Sequence, residues 1–236
     1  MPCPWSSSGS VEDALVLASR LGVSHSTLPI GNLMEGFVTG LRPALAEGPR
    51  ESPQKTCYPR GMLLMAVANQ QGQLPLTTVN KSELAVGYCT LHRDINGGLA
   101  VIGDIYKTTV FRLCDWIDSP KVAPCRLDLG LPADGELVGA RIRSKPPSAE
   151  LRPDQKDSDS LPDYTELDSP LMGLIQERIP AKTLVAEGQD QALVERVQQL
   201  LFRAEFKRRQ AAPLLKVSPQ AFGSGWRLPI DASKKY

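Results

Sequence analysis

Apolar positions recur with a helical period in several stretches of this chain, and turn residues separate them. "SVEDALVLASRLG" (10–22) predicts a helix that Ser10 can cap, with Glu12 and Asp13 in the first turn and Gly22 at the end. "VSHSTLPI" (23–30) then reads as a short strand, and "NLMEGFVTGLRPAL" (32–45) as a weaker helix. "RGMLLMAVANQQG" (60–72) predicts a buried apolar helix, "LPLTTV" (74–79) a short strand and "KSELAVGYC" (81–89) a further helix. Helix and strand alternating at this spacing predict an α/β fold with a parallel sheet. "IYKTTVFRLCDWI" (105–117) is amphipathic, whereas 118–140 has no clear period. Short helices are expected near 163–177 and 180–187, and a long one over 190–209. Asp190 can cap the last, whose apolar stripe is Leu193, Val197, Leu200 and Leu201. From 210 onward the pattern is irregular.

"KPPSAELRPDQKDSDSLPDY" (145–164) fits neither period. It holds four prolines, five acidic and three basic side chains. Such a stretch is either a disordered linker or an ordered lid, since long irregular loops in compact domains are functional or disordered.

Composition narrows the classes. The 236 residues are 42% hydrophobic and 22% charged, and 27 cations against 26 anions leave a net charge of +1. No global field points to nucleic acid or an anionic membrane. No apolar run approaches the ~18 residues of a membrane span. Five cysteines without C-x-x-C spacing and two histidines predict neither a disulfide framework nor a zinc site. "MPCPWSSSGS" lacks the basic and apolar regions of a signal peptide, so a cytoplasmic protein is expected.

Four segments carry polar residues that packing alone does not require. Thr78 and Glu83 follow a strand, where open α/β sheets bind ligands, and can supply oxygen ligands to Mg²⁺. Helix capping by Asn80 and Ser82, with Glu83 in the first turn, explains the same residues. Lys107 stands near a helix start, already positive, and suits an anion facing it; a solvated lysine is the plainer reading. Lys145 and Ser148 precede an acidic run, and "EFKRRQ" (205–210) puts three cations at a helix end, as a phosphate site or the helix dipole would favour.

The strings "SSSGSVEDALVLASRLG", "NKSELAVGYCTL", "NGGLAVIGDIYKTTVFRLCDW", "KPPSAELRPDQKDSDSLPDY", "EFKRRQAAP" and "AFGSGWRLPI" follow one another along nearly the whole chain. Together they resemble the synthetase domain of glutamine-dependent NAD⁺ synthetases. The resemblance implies a Rossmann-like parallel sheet flanked by helices, of the adenine nucleotide alpha hydrolase-like class, incomplete at its N-terminus and with a helical C-terminal part. It implies substrates ATP, with Mg²⁺, and deamido-NAD. The nicotinate carboxylate attacks the α-phosphate, and ammonia, drawn from glutamine in the full-length family, then displaces AMP to leave NAD⁺. Residue by residue it implies that Thr78 and Glu83 take the ATP and Mg²⁺ positions, and that Lys107 contacts phosphates during adenylation. Ser148, Lys207 and Arg208 fall on ATP-side positions, Asp157, Ser158 and Arg60 on the deamido-NAD side, and 145–164 becomes an active-site lid.

Departures from the family pattern set further expectations. The Ser-Gly-Gly-x-Asp-Ser loop that cradles ATP and the glutaminase domain with its Glu-Lys-Cys site have no counterpart in these 236 residues. The entry to the third helix, "QKTCYPR", keeps only Arg60 of the family's Gln-Ala-Arg-x-Arg, and Pro59 is expected to disturb the turn. Val79 stands where the family has glycine, and "HRD" (92–94) where it has Tyr-Gly-Asp. A chain lacking its first central strand is expected to be marginally stable. It is also expected to be a homo-oligomer, or a fragment or subunit that needs a partner chain carrying the ATP loop.

Overall fold

The computed structural model describes residues 1–44, 58–152, 154–223 and 225–230. Leu45, residues 54–57 of "QKTCYPR" and Pro153 of the irregular stretch lie outside the described residues. In chain order the elements are α1 (Ser8–Leu21), α2 (Gly31–Leu41), α3 (Tyr58–Gln71), β1 (Leu76–Thr77) and α4 (Lys81–Val86). Then come β2 (Leu99–Ala100), α5 (Lys107–Ile117), α6 (Ala123–Asp128) and α7 (Ala140–Ser144). The last are α8 (Tyr164–Met172), a π-helical turn (Gly173–Glu177), α9 (Ala181–Ala186), α10 (Gln191–Arg203) and α11 (Glu205–Arg208). They fall into two compact units, 1–59 with 109–160 and 60–108 with 161–236.

The second unit carries the sheet. β1 and β2 pair in parallel, Leu76 opposite Leu99 and Thr77 opposite Ala100. The line of pairing extends to the C-terminal segment, where Ala100 bridges Leu214 in parallel and donates its N–H to Pro213 O at 2.8 Å. Helix α10 is the centre of the packing and touches α4, α8 and α9. Val194, Val197 and Leu201 of α10, Leu84 of α4, and Leu167 and Leu171 of α8 form its buried heart.

Capping decides where these helices begin. Asp190 accepts from Leu193 N at 2.7 Å, as its place before the apolar stripe predicts. The long helix expected over 190–209 is broken at Ala204 into α10 and α11. The break lets Glu205 and Arg208 turn inward and pair at 2.9 Å, both almost wholly buried. α3 starts at Tyr58 and ends at Gly72 in the left-handed conformation. It is not the buried helix expected over 60–72: Met62 is 66% exposed and Ala68 is its best-buried apolar residue after the first turn. The expected strand over 74–79 shortens to two residues, and the helix over 81–89 stops at Val86 because Gly87 turns left-handed, φ +71°.

The first unit is built on α1 and α2. Ser7, not Ser10, caps α1 and accepts from Ser10 N at 3.1 Å. Glu12 and Asp13 therefore stand past the first turn, where both pair with Arg141 at 2.9 Å. The strand expected over 23–30 does not form; residues 24–27 are exposed and make no ladder bond among the described residues, and Ile30 N–H reaches Pro2 O at 3.1 Å. Four polar residues in a row, Ser24–Thr27, give a sheet no apolar face to bury.

Asp118 organises the segment after α6, where the sequence pattern is silent. Its carboxylate accepts from the N–H groups of Leu137, Val138 and Gly139 at 2.7, 2.9 and 2.7 Å. Burial alone pushes this carboxyl up, but those three donors and the Arg143 charge outweigh burial and hold it below the ordinary range. Its contribution to stability is present above about pH 4, the unfolded value, and is lost as pH falls through the lower folded value. Asp118→Asn leaves at least one of the three donors without an acceptor and is expected to cost about 1–3 kcal/mol. Thermal unfolding checks this, with the difference from wild type shrinking toward acid pH; an unchanged midpoint at neutral pH contradicts it.

Candidate active site

Loops that follow β1 and β2 meet at the C-terminal ends of the strands. After β1 the chain runs through exposed Thr78 and buried Val79 to Asn80. There a capping box opens α4: Asn80 Oδ1 accepts from Glu83 N at 3.0 Å, and Glu83 Oε2 accepts from Asn80 N at 3.1 Å. After β2 the chain turns through Gly103 and Asp104 to Lys107, the first residue of α5.

Four hydrogen bonds lock the two loops together, two of them through Asp168 of α8. Lys81 N donates to Ile105 O at 2.9 Å. Ser82 Oγ accepts from Lys107 N at 2.9 Å and donates to Asp168 Oδ1 at 2.5 Å. Asp168 Oδ2 accepts from Thr108 N at 2.9 Å. The buried carboxylate of Asp168 thus satisfies the start of α5, a place where backbone N–H groups otherwise lack partners.

Lys107 and Glu83 face each other in this frame. Lys107 Nζ donates to Glu83 Oε1 at 3.1 Å and stands 5.3 Å from the centre of the Tyr164 ring. Both side chains are mostly but not fully enclosed, 18% and 17% exposed. Burial pushes the Glu83 carboxyl above its ordinary range, and the Lys107 charge and the Asn80 N–H pull it back only in part. Glu83 closes the capping box with one oxygen, and its other oxygen meets Lys107. Among the described residues no three of His, Cys, Asp and Glu stand together as a metal cage.

The basic run is largely turned to structural use. Lys207 Nζ donates to Gly87 O at 2.6 Å and Cys89 O at 2.9 Å, closing the end of α4. Arg208 donates to Glu205, to the carbonyls of Leu84 and Ala85, and to Leu201 O at 2.6 Å. Cys89, beside Lys207, is buried, and its thiol is pushed up to about 12. Arg60 is half-buried on α3, and its Nε has no acceptor among the described residues.

Ser148, Asp157 and Ser158 belong to the first unit. Ser148 Oγ accepts from Glu150 N at 3.1 Å, and Asp157 N donates to Pro147 O at 3.0 Å, which draws the ends of the irregular stretch together. Asp157 is buried and opens a short 3₁₀ turn; Ser148 and Ser158 are exposed. Glu150 reaches Ser7 and Ser10 at the start of α1. The segment is therefore a folded loop through Ser160.

One pair was not foreseen. Lys81 and Asp104, both side chains fully enclosed, meet at 2.8 Å. Lys81 Nζ also donates to Ser218 Oγ at 2.7 Å and Gln220 O at 2.6 Å. Asp104 Oδ2 accepts from Val217 N and Ser218 N at 2.8 and 2.7 Å. The pair straps the C-terminal segment across the roots of both loops. Nothing in the period of either segment signals it, because its members lie 23 and more than 100 residues apart.

A family model of NAD synthases matches residues 1–211. The chain belongs to the NAD synthase family. Glutamine-dependent NAD(+) synthetase of Synechocystis is 45% identical over 232 residues, 98% of this chain and 39% of that protein. The chain thus spans about two fifths of the length of the curated relatives it matches, 39% and 41% for the first two. Glutamine-dependent NAD⁺ synthetase from Acinetobacter baumannii, solved with ADP, aligns over 98% of this chain and 39% of its own, with 34% identity and a TM-score of 0.52. NMN synthetase from Francisella tularensis shares the fold at 23% identity, with a TM-score of 0.66 over 92% of this chain and 76% of its own. The parallel strands, short here, and the helices around them are those of NAD synthases. Two departures from the family pattern are absorbed without disrupting this frame. Val79 does not adopt a positive φ and is buried in the core, 2% exposed. His92 takes φ +61°, and Arg93 pairs with Asp94 at 3.2 Å.

Proposed function

We propose that this chain is the synthetase part of a glutamine-dependent NAD⁺ synthetase. It would bind ATP and deamido-NAD, join the nicotinate carboxylate to the α-phosphate with loss of pyrophosphate, and let ammonia replace AMP at the acyl carbon. The observation that carries this reading is the Lys107–Glu83 pair at the C-terminal ends of two parallel strands, where open α/β sheets take their ligands.

Lys107 would leave Glu83 for a phosphate oxygen and neutralise charge that grows as pyrophosphate departs. Thr78, exposed at the end of β1, would bind the nucleotide as well. Glu83 would hold magnesium brought with the nucleotide, which supplies further neutralisation of the phosphates. Asp168 and Ser82 position Lys107 by holding the first turn of α5. Ser148, Lys207 and Arg208 are assigned to the ATP side, and Lys207 and Arg208 must exchange carbonyl partners to reach a phosphate. Arg60, Asp157 and Ser158 are assigned to deamido-NAD, with 145–164 as the lid; its tethering to α1 suits a loop that moves as a folded piece. Assembly as a homo-oligomer, in the cytoplasm, belongs to the same reading.

Titration calorimetry with ATP, Mg²⁺ and deamido-NAD tests it, followed by product analysis with ammonia as nitrogen source. Saturable ATP binding, with NAD⁺, AMP and pyrophosphate formed in equal amounts, is expected. A folded sample that binds no ATP removes the reading for this chain alone and leaves a subunit that needs a partner chain.

A further inference from the structure

The C-terminal segment, beyond the residues matched by the family model, closes a cavity of about 320 Å³ against α4 and α11. Its apolar lining includes Leu84, Pro213, Phe222 and Trp226. Its cations are of two kinds. Arg208 is buried, fully bonded to protein acceptors, and lies 4.9 Å from the Phe222 ring centre. Arg209, Lys216 and Arg227 are exposed. Arg209 pairs with Glu205 at 2.7 Å, whereas Lys216 and Arg227 have no carboxylate partner among the described residues. Glu205, the sole acid among the described lining residues, is already neutralised by Arg208 and Arg209. The indole Nε1 of Trp226 is buried and has no acceptor among the described residues. A buried donor without a partner is costly and calls for an acceptor.

We infer that this cavity is a binding site for a nucleoside monophosphate. Its cationic side chains suit a phosphate dianion, which several arginine and lysine donors recognise together. Its aromatic and aliphatic lining suits a planar base. Its volume sits at the lower limit of ligand cavities, ~300–1,000 Å³, and admits one nucleotide where a dinucleotide needs more room. The site uses neither Lys107 nor Glu83 and shares only Arg208 with the residues assigned to ATP, whose donors are taken here by protein acceptors, so the inference does not rest on the proposed reaction.

The test is a ¹⁵N NMR titration of the full chain with AMP, adenosine and inorganic phosphate. The indole resonance of Trp226 is assigned by its loss in Trp226→Phe. AMP is expected to shift that resonance saturably, with adenosine and phosphate each at least about tenfold weaker. Lys216→Glu and Arg227→Glu change exposed side chains and should each weaken AMP about tenfold or more. Lys107→Ala should leave the Trp226 response intact, which separates this cavity from the candidate active site. A Trp226 resonance unmoved at millimolar AMP overturns the inference. So does a response that survives both charge reversals, or one that vanishes in Lys107→Ala. Phosphate as tight as AMP overturns the assignment of the base.

Discussion

Lys107→Ala is expected to slow pyrophosphate release from ATP in the presence of deamido-NAD by about 10²–10³-fold, the scale for losing one group aimed at developing charge. Stability should change little, because the Lys107–Glu83 pair is partly exposed and such pairs contribute about 1 kcal/mol or less. A large loss of rate with an unchanged unfolding midpoint is thus the signature. Lys107→Arg keeps the charge but brings a wider, flat group into the space between Glu83 and the Tyr164 ring, and should recover only part of the rate. Removing Lys107 also removes the charge that lowers the Glu83 carboxyl, so that carboxyl should rise further. Its ionised form is then lost at a higher pH, and Mg²⁺-dependent ATP binding should fail earlier on acidification than in wild type. An unchanged rate in Lys107→Ala makes the pair a structural bridge and no more.

Local chemistry explains which parts of this molecule could be read from sequence. Asp190 and the Asn80–Glu83 box are caps that act within three residues, and the structure has both. Lys107 stood out because a cation at a helix start is unfavourable. The structure supplies the compensation: Glu83, the Tyr164 ring and the Asp168 carboxylate bring negative charge to that end of α5. The family strings pointed to the family, and the match over residues 1–211 agrees. Other features depend on partners far along the chain. "EFKRRQ" reads as three cations at a helix end, suited to a phosphate or the helix dipole, yet beyond the break at Ala204 Arg208 turns inward to the buried Glu205. "VSHSTLPI" has β-branched residues but no apolar face, so local propensity misled there. Asp118 and Asp104 are single acids whose roles appear only once distant N–H groups converge on them.

Breaking the Lys81–Asp104 pair is expected to have the largest effect on stability. Lys81→Met leaves a fully buried carboxylate without its cation, and Asp104→Leu leaves a fully buried ammonium without its anion. Removal of one partner of a buried pair costs about 3–5 kcal/mol, a large part of the ~5–15 kcal/mol that holds a domain folded. The double variant Lys81→Met, Asp104→Leu should recover most of that loss, since well-packed apolar side chains can replace a buried ion pair. Recovery cannot be complete, because Val217 and Ser218 lose the acceptor of their N–H groups. The C-terminal segment should therefore exchange its amide hydrogens faster than in wild type even where the global midpoint is restored. Acidification provides a second readout. Burial raises the Asp104 carboxyl, but Lys81 and the Ser218 and Val217 donors outweigh it and hold it below the ordinary range. Its stabilising contribution is present above about pH 4 and is lost as pH falls through the lower folded value. The acid-side decline of stability should accordingly be shallower in the double variant. Urea unfolding from neutral to acid pH measures all three variants; single variants as stable as wild type at neutral pH contradict the account. A double variant no more stable than the singles shows that the strap depends on the charges themselves.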